Sequence, residues 1–151
     1  MMYILILVVA LFVVGFIMLG EKSRSSEPPG LINARLSPCP TSPNCVCSEF
    51  PSDEEHFIPP IHYAPAEINR MGIKSIIQAM GGKLVHEQDD YFAAEFSSAI
   101  FRFVDDVEFR LDVDKKILHL RSASRVGRSD LGVNKKRMER FRKLFAERTK
   151  P

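Results

Sequence analysis

The chain opens on "MMYILILVVALFVVGFIMLG", with about seventeen apolar residues from Tyr3 to Leu19 and no charge before Glu21. Few folds are open to such a run. A helix crossing a hydrocarbon core needs roughly 17–25 apolar residues, whereas a surface helix of a soluble domain keeps one polar face. Residues 1–20 are therefore expected to be a single-pass transmembrane anchor. A cleaved export signal usually starts with a basic stretch and ends at a small-x-small site. Neither is present, so the expectation is that the anchor stays. The flanking Lys22 and Arg24 argue for a domain on the cytoplasmic side.

Residues 21–36 are rich in Ser and charge around Pro28-Pro29-Gly30, and read as a linker. One domain is expected over 37–151. It begins with "SPCPTSPNCVCSEF", which holds Cys39, Cys45 and Cys47 and has no regular periodicity. A Cys39–Cys45 disulfide would staple this loop and imply an oxidising compartment. Free thiols are the second reading. Ligation of a soft metal by Cys45-x-Cys47 is the third, weakened by the lack of a nearby His.

Beyond a short edge strand within Phe57–Tyr63, Pro65 and Glu67 suit the first turn of a helix running to Met80. Ile68, Met71, Ser75, Ile76 and Ala79 form its stripe, widened by Ile73, Ile77 and Met80, and Gly81-Gly82 ends it. Four strands are expected over Leu84–Gln88, Tyr91–Ser97, Ile100–Leu111 and Ile117–Val126, joined by short turns into a meander. A final helix over about Lys135–Arg148 turns Met138, Phe141, Leu144 and Phe145 inward, with Asn134 as its N-cap. The fold class is α+β: one antiparallel sheet of four to five strands, with two helices on one face and the anchor in front.

The third hairpin fixes its own register. Phe109 opposite Leu120 and Leu111 opposite Leu118 bring the apolar sides together. Glu108 then faces Arg121, and Asp106 lies diagonally between Arg121 and Arg125. Alternation puts Asp105 on the apolar face with Phe101, Phe103, Val107 and Phe109, opposite Ser124. Asp105, Asp106 and Glu108 with Arg121 and Arg125 read as a structural charge ladder, or as acids with perturbed titration at a site. His119 reads as a solvated strand residue. Neither Ser122 nor Ser124 has a His within arguable reach, so no hydrolytic triad is legible.

The segment "RSASRVGRSDLGVNKKR", residues 121–137, is strongly basic. From Arg121 to Lys143 nine Lys or Arg stand against Asp130 and Glu139 alone. Gly127 and Gly132 permit close backbone approach, and Asp130 can close an Asx-turn. Lys135, Lys136 and Arg137 occupy a first helical turn, where the macrodipole disfavours cations by about 0.3–1 kcal/mol each. Arg121, Ser124, Arg125, Arg128, Asp130, Asn134, Lys135 and Lys136 together describe an anion-binding corner.

"PCPTSPNCVCS", "FRFVDDVEFRLD" and "RSASRVGRSDLGVNKKRME" resemble the motifs of the bacterial and plastid family called domain of unknown function (DUF) 1499. The resemblance spans about Leu36 to the C-terminus. It implies a small domain often set behind a membrane anchor or export signal, and no established activity. Ser stands in the family where this chain has Cys47, which implies Cys39–Cys45 as the disulfide and a periplasmic or lumenal domain. The preferred functional expectation is a non-enzymatic envelope module binding an anionic ligand, lipid headgroup or protein partner at the corner. The rivals are a hydrolase or transferase using Asp105 or Asp106 with Arg121 and Arg125, and a purely structural envelope component. Beyond the membrane and an anionic lipid or small anion, no nucleic acid, cofactor or metal is expected.

Overall fold

In the computed structural model, which describes residues 1–64 and 70–149, the apolar N-terminus forms a single helix, α1 (Met2–Arg24). By length and composition this helix can cross a membrane, and its apolar span lies outside the protein core. Two short strands follow, β1 (Leu31–Ile32) and β2 (Arg35–Leu36), then β3 (Cys45–Cys47) and β4 (Ile61–His62). The helix α2 (Arg70–Ala79) leads to β5 (Lys83–Glu87), β6 (Tyr91–Ser97), β7 (Val104–Asp112) and β8 (Ile117–Ser124), and α3 (Val133–Arg148) completes the fold. The expected helix start at Pro65, with Glu67 and Ile68, lies outside the described residues.

The main sheet is antiparallel in the order β3-β8-β7-β6-β5, with β4 also paired to β8, and β1 and β2 form a separate two-stranded sheet. The expected sheet of four to five strands is thus corrected to six strands plus two. The meander β5 to β8 follows from its turn residues. The missed strand β3 has only three residues, all buried, so it shows no alternation; pairing with β8 defines it. The β7–β8 register sets Glu108 against Arg121, Phe109 against Leu120 and Leu111 against Leu118.

Strand β7 starts at Val104, later than expected. Ser98 closes the preceding loop: its N–H donates to the Phe103 carbonyl (2.8 Å) and its Oγ accepts from the Phe103 N–H (2.9 Å). Phe101 and Phe103 consequently leave the sheet and pack against Phe16 of α1, with centroids 4.9 and 6.2 Å from its ring.

One sheet face carries the core. Phe92, Val107, Phe109, Leu118 and Leu120 meet Ile73, Ile76 and Ile77 of α2 and Met138, Phe141 and Phe145 of α3. The Phe109 and Phe141 rings lie 4.5 Å apart. Met71, expected in the α2 stripe, is exposed. The opposite face is covered as well: Leu36, Cys47, Tyr91 and Ala93 form a second cluster with Leu31, Cys39 and Phe50 against it. Cys39 and Cys45 form a disulfide, Cα atoms 5.7 Å apart. Cys47 is free and buried, and burial pushes its thiol up to about 11, so it stays protonated and inert at neutral pH.

Candidate functional site

The covered face holds an internal ion network. Asp106 accepts from Arg125 Nε at 2.9–3.0 Å and from Nη2 at 2.7 Å, while Arg125 Nη2 also pairs with Glu95 (2.7 Å). Glu108, fully buried, accepts from Arg121 Nη1 (2.7 Å), the Tyr91 hydroxyl (2.7 Å) and the Gly30 N–H (3.1 Å). Burial pushes the Asp106 and Glu108 carboxyls above their usual range, ahead of the opposing pull of Arg125 and Arg121. Such groups are costly to bury and far more costly to strip of a partner.

The network also grips the end of α1. Arg125 Nη1 donates to the Ser23 carbonyl (3.1 Å). Ser23, fully buried, accepts from the Val104 N–H (2.8 Å) and bonds the Val104 carbonyl (3.4 Å). Arg24 Nη1 donates to the Phe101 carbonyl (3.3 Å). Gly20 is required here, because a Cβ would overlap the Phe101 carbonyl oxygen. The Arg125–Asp106 pair therefore helps fix the C-terminal end of α1 to the sheet.

Asp105 points the other way, as alternation requires. Its Oδ2 accepts from Arg137 Nη2 of α3 (2.6 Å), and the Arg137 guanidinium lies 4.8 Å over the Phe96 ring. Asp105 and Asp106 thus serve opposite faces and do not converge on one point.

The start of α3 is organised differently from expectation. Gly132, at φ 77°, is the N-cap, and Asn134 lies inside the helix, buried. Asn134 Oδ1 accepts from the Ser122 hydroxyl (2.5 Å) and Arg137 Nη1 (2.5 Å). Its Nδ2 donates to the Asn44 carbonyl (2.9 Å) and Ser124 Oγ (3.1 Å). The capping role falls to Asp130, which accepts from the N–H groups of Gly132 (3.0 Å) and Asn134 (2.7 Å) through its carboxylate. An internal carboxylate therefore occupies the helix start and offsets the cations placed there.

Of the eight corner residues, Arg121, Arg125 and Asn134 are bonded inside the protein, and Ser124 and Asp130 are half-buried. Arg128, Lys135 and Lys136 are exposed. A crevice of about 360 Å³ separates this loop from α1, walled by Phe16, Leu19, Phe103, Val126 and Val133 and floored by Asp105, Ser124 and Asp130. Ile100 and Leu131, 83% and 87% exposed, project from the two loops at the same end. The composition of residues 121–137 pointed to this end. No local signal marked Phe101 and Ile100, which join it only because the 98–103 loop meets α1.

The family model described as "Protein of unknown function (DUF1499)" matches residues 35–145. No curated protein and no solved structure matches the chain.

Proposed function

The chain belongs to the DUF1499 family, and from that premise we propose that it is a membrane-tethered module held against the bilayer, binding anionic lipid headgroups through Arg128, Lys135 and Lys136. The observation that carries the reading is the shared crevice, whose walls come from both Phe16 and Leu19 of the apolar helix and the loop leading into α3. A loop that touches the last turns of an anchor lies at the level of the headgroups. Exposed Ile100 and Leu131 beside exposed cations support an interfacial position, since apolar tips enter the acyl boundary while cations stay with the phosphates. Packing of Phe16 on Phe101 supports an anchor that is retained rather than cleaved. The Cys39–Cys45 disulfide supports a domain facing an oxidising compartment.

Hydrogen exchange of the full chain in nanodiscs tests this. Residues 127–136 should exchange roughly a hundredfold more slowly in anionic than in zwitterionic bilayers, given about 1 kcal/mol for each of the three cations near a charged surface. The combined Arg128→Glu, Lys135→Glu and Lys136→Glu variant should lose that difference while keeping its fold, because none of the three side chains is buried. Equal exchange of the wild type in both bilayers would leave the corner as architecture alone.

A further inference from the structure

The covered polar face opens at its other end. The β7–β8 turn lies about 30 Å of strand from the start of β7, where α1 docks. There a cleft of about 630 Å³ is lined by Glu49, Ser48, Arg35, Arg110, Lys115 and His119, with Phe57, Pro60 and Ile117 supplying an apolar wall.

His119 and Ser48 are 71 positions apart in the chain, yet Ser48 Oγ lies 3.2 Å from His119 Nδ1. Ser48 Oγ also accepts from the Leu120 N–H (2.9 Å), and its own proton is within reach of the imidazole. In the neutral tautomer with the ring proton on Nε2, Nδ1 accepts from that hydroxyl. Burial holds His119 below the ordinary histidine range, ahead of the opposing pull of Glu49. Nε2 has no hydrogen-bond partner among the described residues. Ser48 is buried and doubly bonded, so it is no nucleophile.

Arg110 shows the same kind of spare capacity. It donates from Nε to Glu49 (2.6 Å), while its Nη groups make no hydrogen bond among the described residues; Nη1 lies 3.8 Å from Asp112. The acceptors in the cleft are occupied instead. Glu49 takes Arg110, Arg35 Nε (3.1 Å) and the Leu36 N–H (3.3 Å), and these arginines hold its carboxyl below the usual range against the upward push of burial. Asp112 takes the backbone N–H and Nζ of Lys115. The unmatched polar groups are donors, set beside an apolar wall.

We propose that this cleft binds a small molecule carrying an oxyanion, carboxylate or phosphate, joined to an apolar ring or chain. The oxyanion takes His119 Nε2–H and the Arg110 Nη donors, and the apolar part lies against Phe57, Pro60 and Ile117. This site is separate from the headgroup surface at the other end of the domain.

The test uses the full chain in nanodiscs with phenyl phosphate, benzoate and benzylamine as probes, read by calorimetry against empty nanodiscs. Phenyl phosphate or benzoate should bind, and whichever binds more tightly identifies the oxyanion; benzylamine should not bind. His119→Asn keeps an amide acceptor at the Nδ1 position for Ser48 and removes the Nε2 donor, and Arg110→Lys keeps a cation against Glu49. Each should weaken the bound probe about tenfold, the size of one lost charge-assisted hydrogen bond. Nitrogen NMR of the imidazole in the wild type gives a readout that needs no variant: the Nε2 resonance should shift on titration, with Nδ1 less affected. Benzylamine binding as well as the anions, or an Nε2 signal unmoved by both anions, would overturn the proposal.

Discussion

Arg125→Met is expected to lower the unfolding free energy by about 3–5 kcal/mol, the cost of stripping a buried acid of its cation. The side chain is 3% exposed and Asp106 is 5% exposed, so water cannot replace the lost guanidinium. The same substitution frees Glu95 and the Ser23 carbonyl. Denaturant unfolding of the detergent-solubilised chain measures the loss. A partner change separates burial from pairing. Arg125→Met with Asp106→Leu should recover most of the stability, because an apolar pair carries no stranded charge, whereas its grip on Ser23 remains broken. A loss below about 1 kcal/mol for the single variant would mean that the pair behaves as a surface ion pair.

Asn134→Ala should cost about 2–4 kcal/mol, by removing four hydrogen bonds at a buried position, one of them to a charged group. Asn134→Asp distinguishes the two halves of the amide. It keeps acceptors for Ser122 and Arg137 but turns a carboxylate on the Asn44 carbonyl, so it should also destabilise. Ser124→Ala, which removes one side-chain partner from a half-buried position, should cost under about 1 kcal/mol. If Asn134 were the N-cap, Asp in its place would be nearly neutral. Thermal or denaturant melts of the three variants decide between these roles.

The contrast between β7 and the segment that covers it explains what was legible. Phe109, Leu111, Leu118 and Leu120 alternate with charged residues, so period and register follow from the residues alone. The same alternation put Asp105 on the face of Val107 and Phe109, where its partner Arg137 lies 32 positions away, but Phe101 and Phe103, expected beside it, leave the sheet. Burial of Asp106, Glu108 and Arg121 was not legible. The segment over them, around Gly30, is polar and Pro-rich, and part of its hold on the sheet is a backbone N–H, which leaves no side-chain pattern. Asp130 took the cap from Asn134 because Gly132 turns left-handed between them, a backbone choice that the neighbouring residues only permit. His119 looked solvated because Ser48 and Glu49 reach it from the bend just after β3, a strand whose pairing with β8 had no local signature.

The central claim is that the ion network fixes the domain to its anchor with the 98–103 and 127–133 loops in the bilayer interface. The chain contains no Trp, so one introduced Trp is a sole reporter. Ile100→Trp and Leu131→Trp test the anchor-facing loops, and Val113→Trp, at an exposed position in the β7–β8 turn, tests the opposite end. Each full-length variant is reconstituted into vesicles containing lipids brominated near the headgroup end of the acyl chain. The account predicts blue-shifted emission and strong bromine quenching for the first two, with solvent-like, unquenched emission for Val113→Trp. Solvent-like, unquenched emission from all three would contradict it.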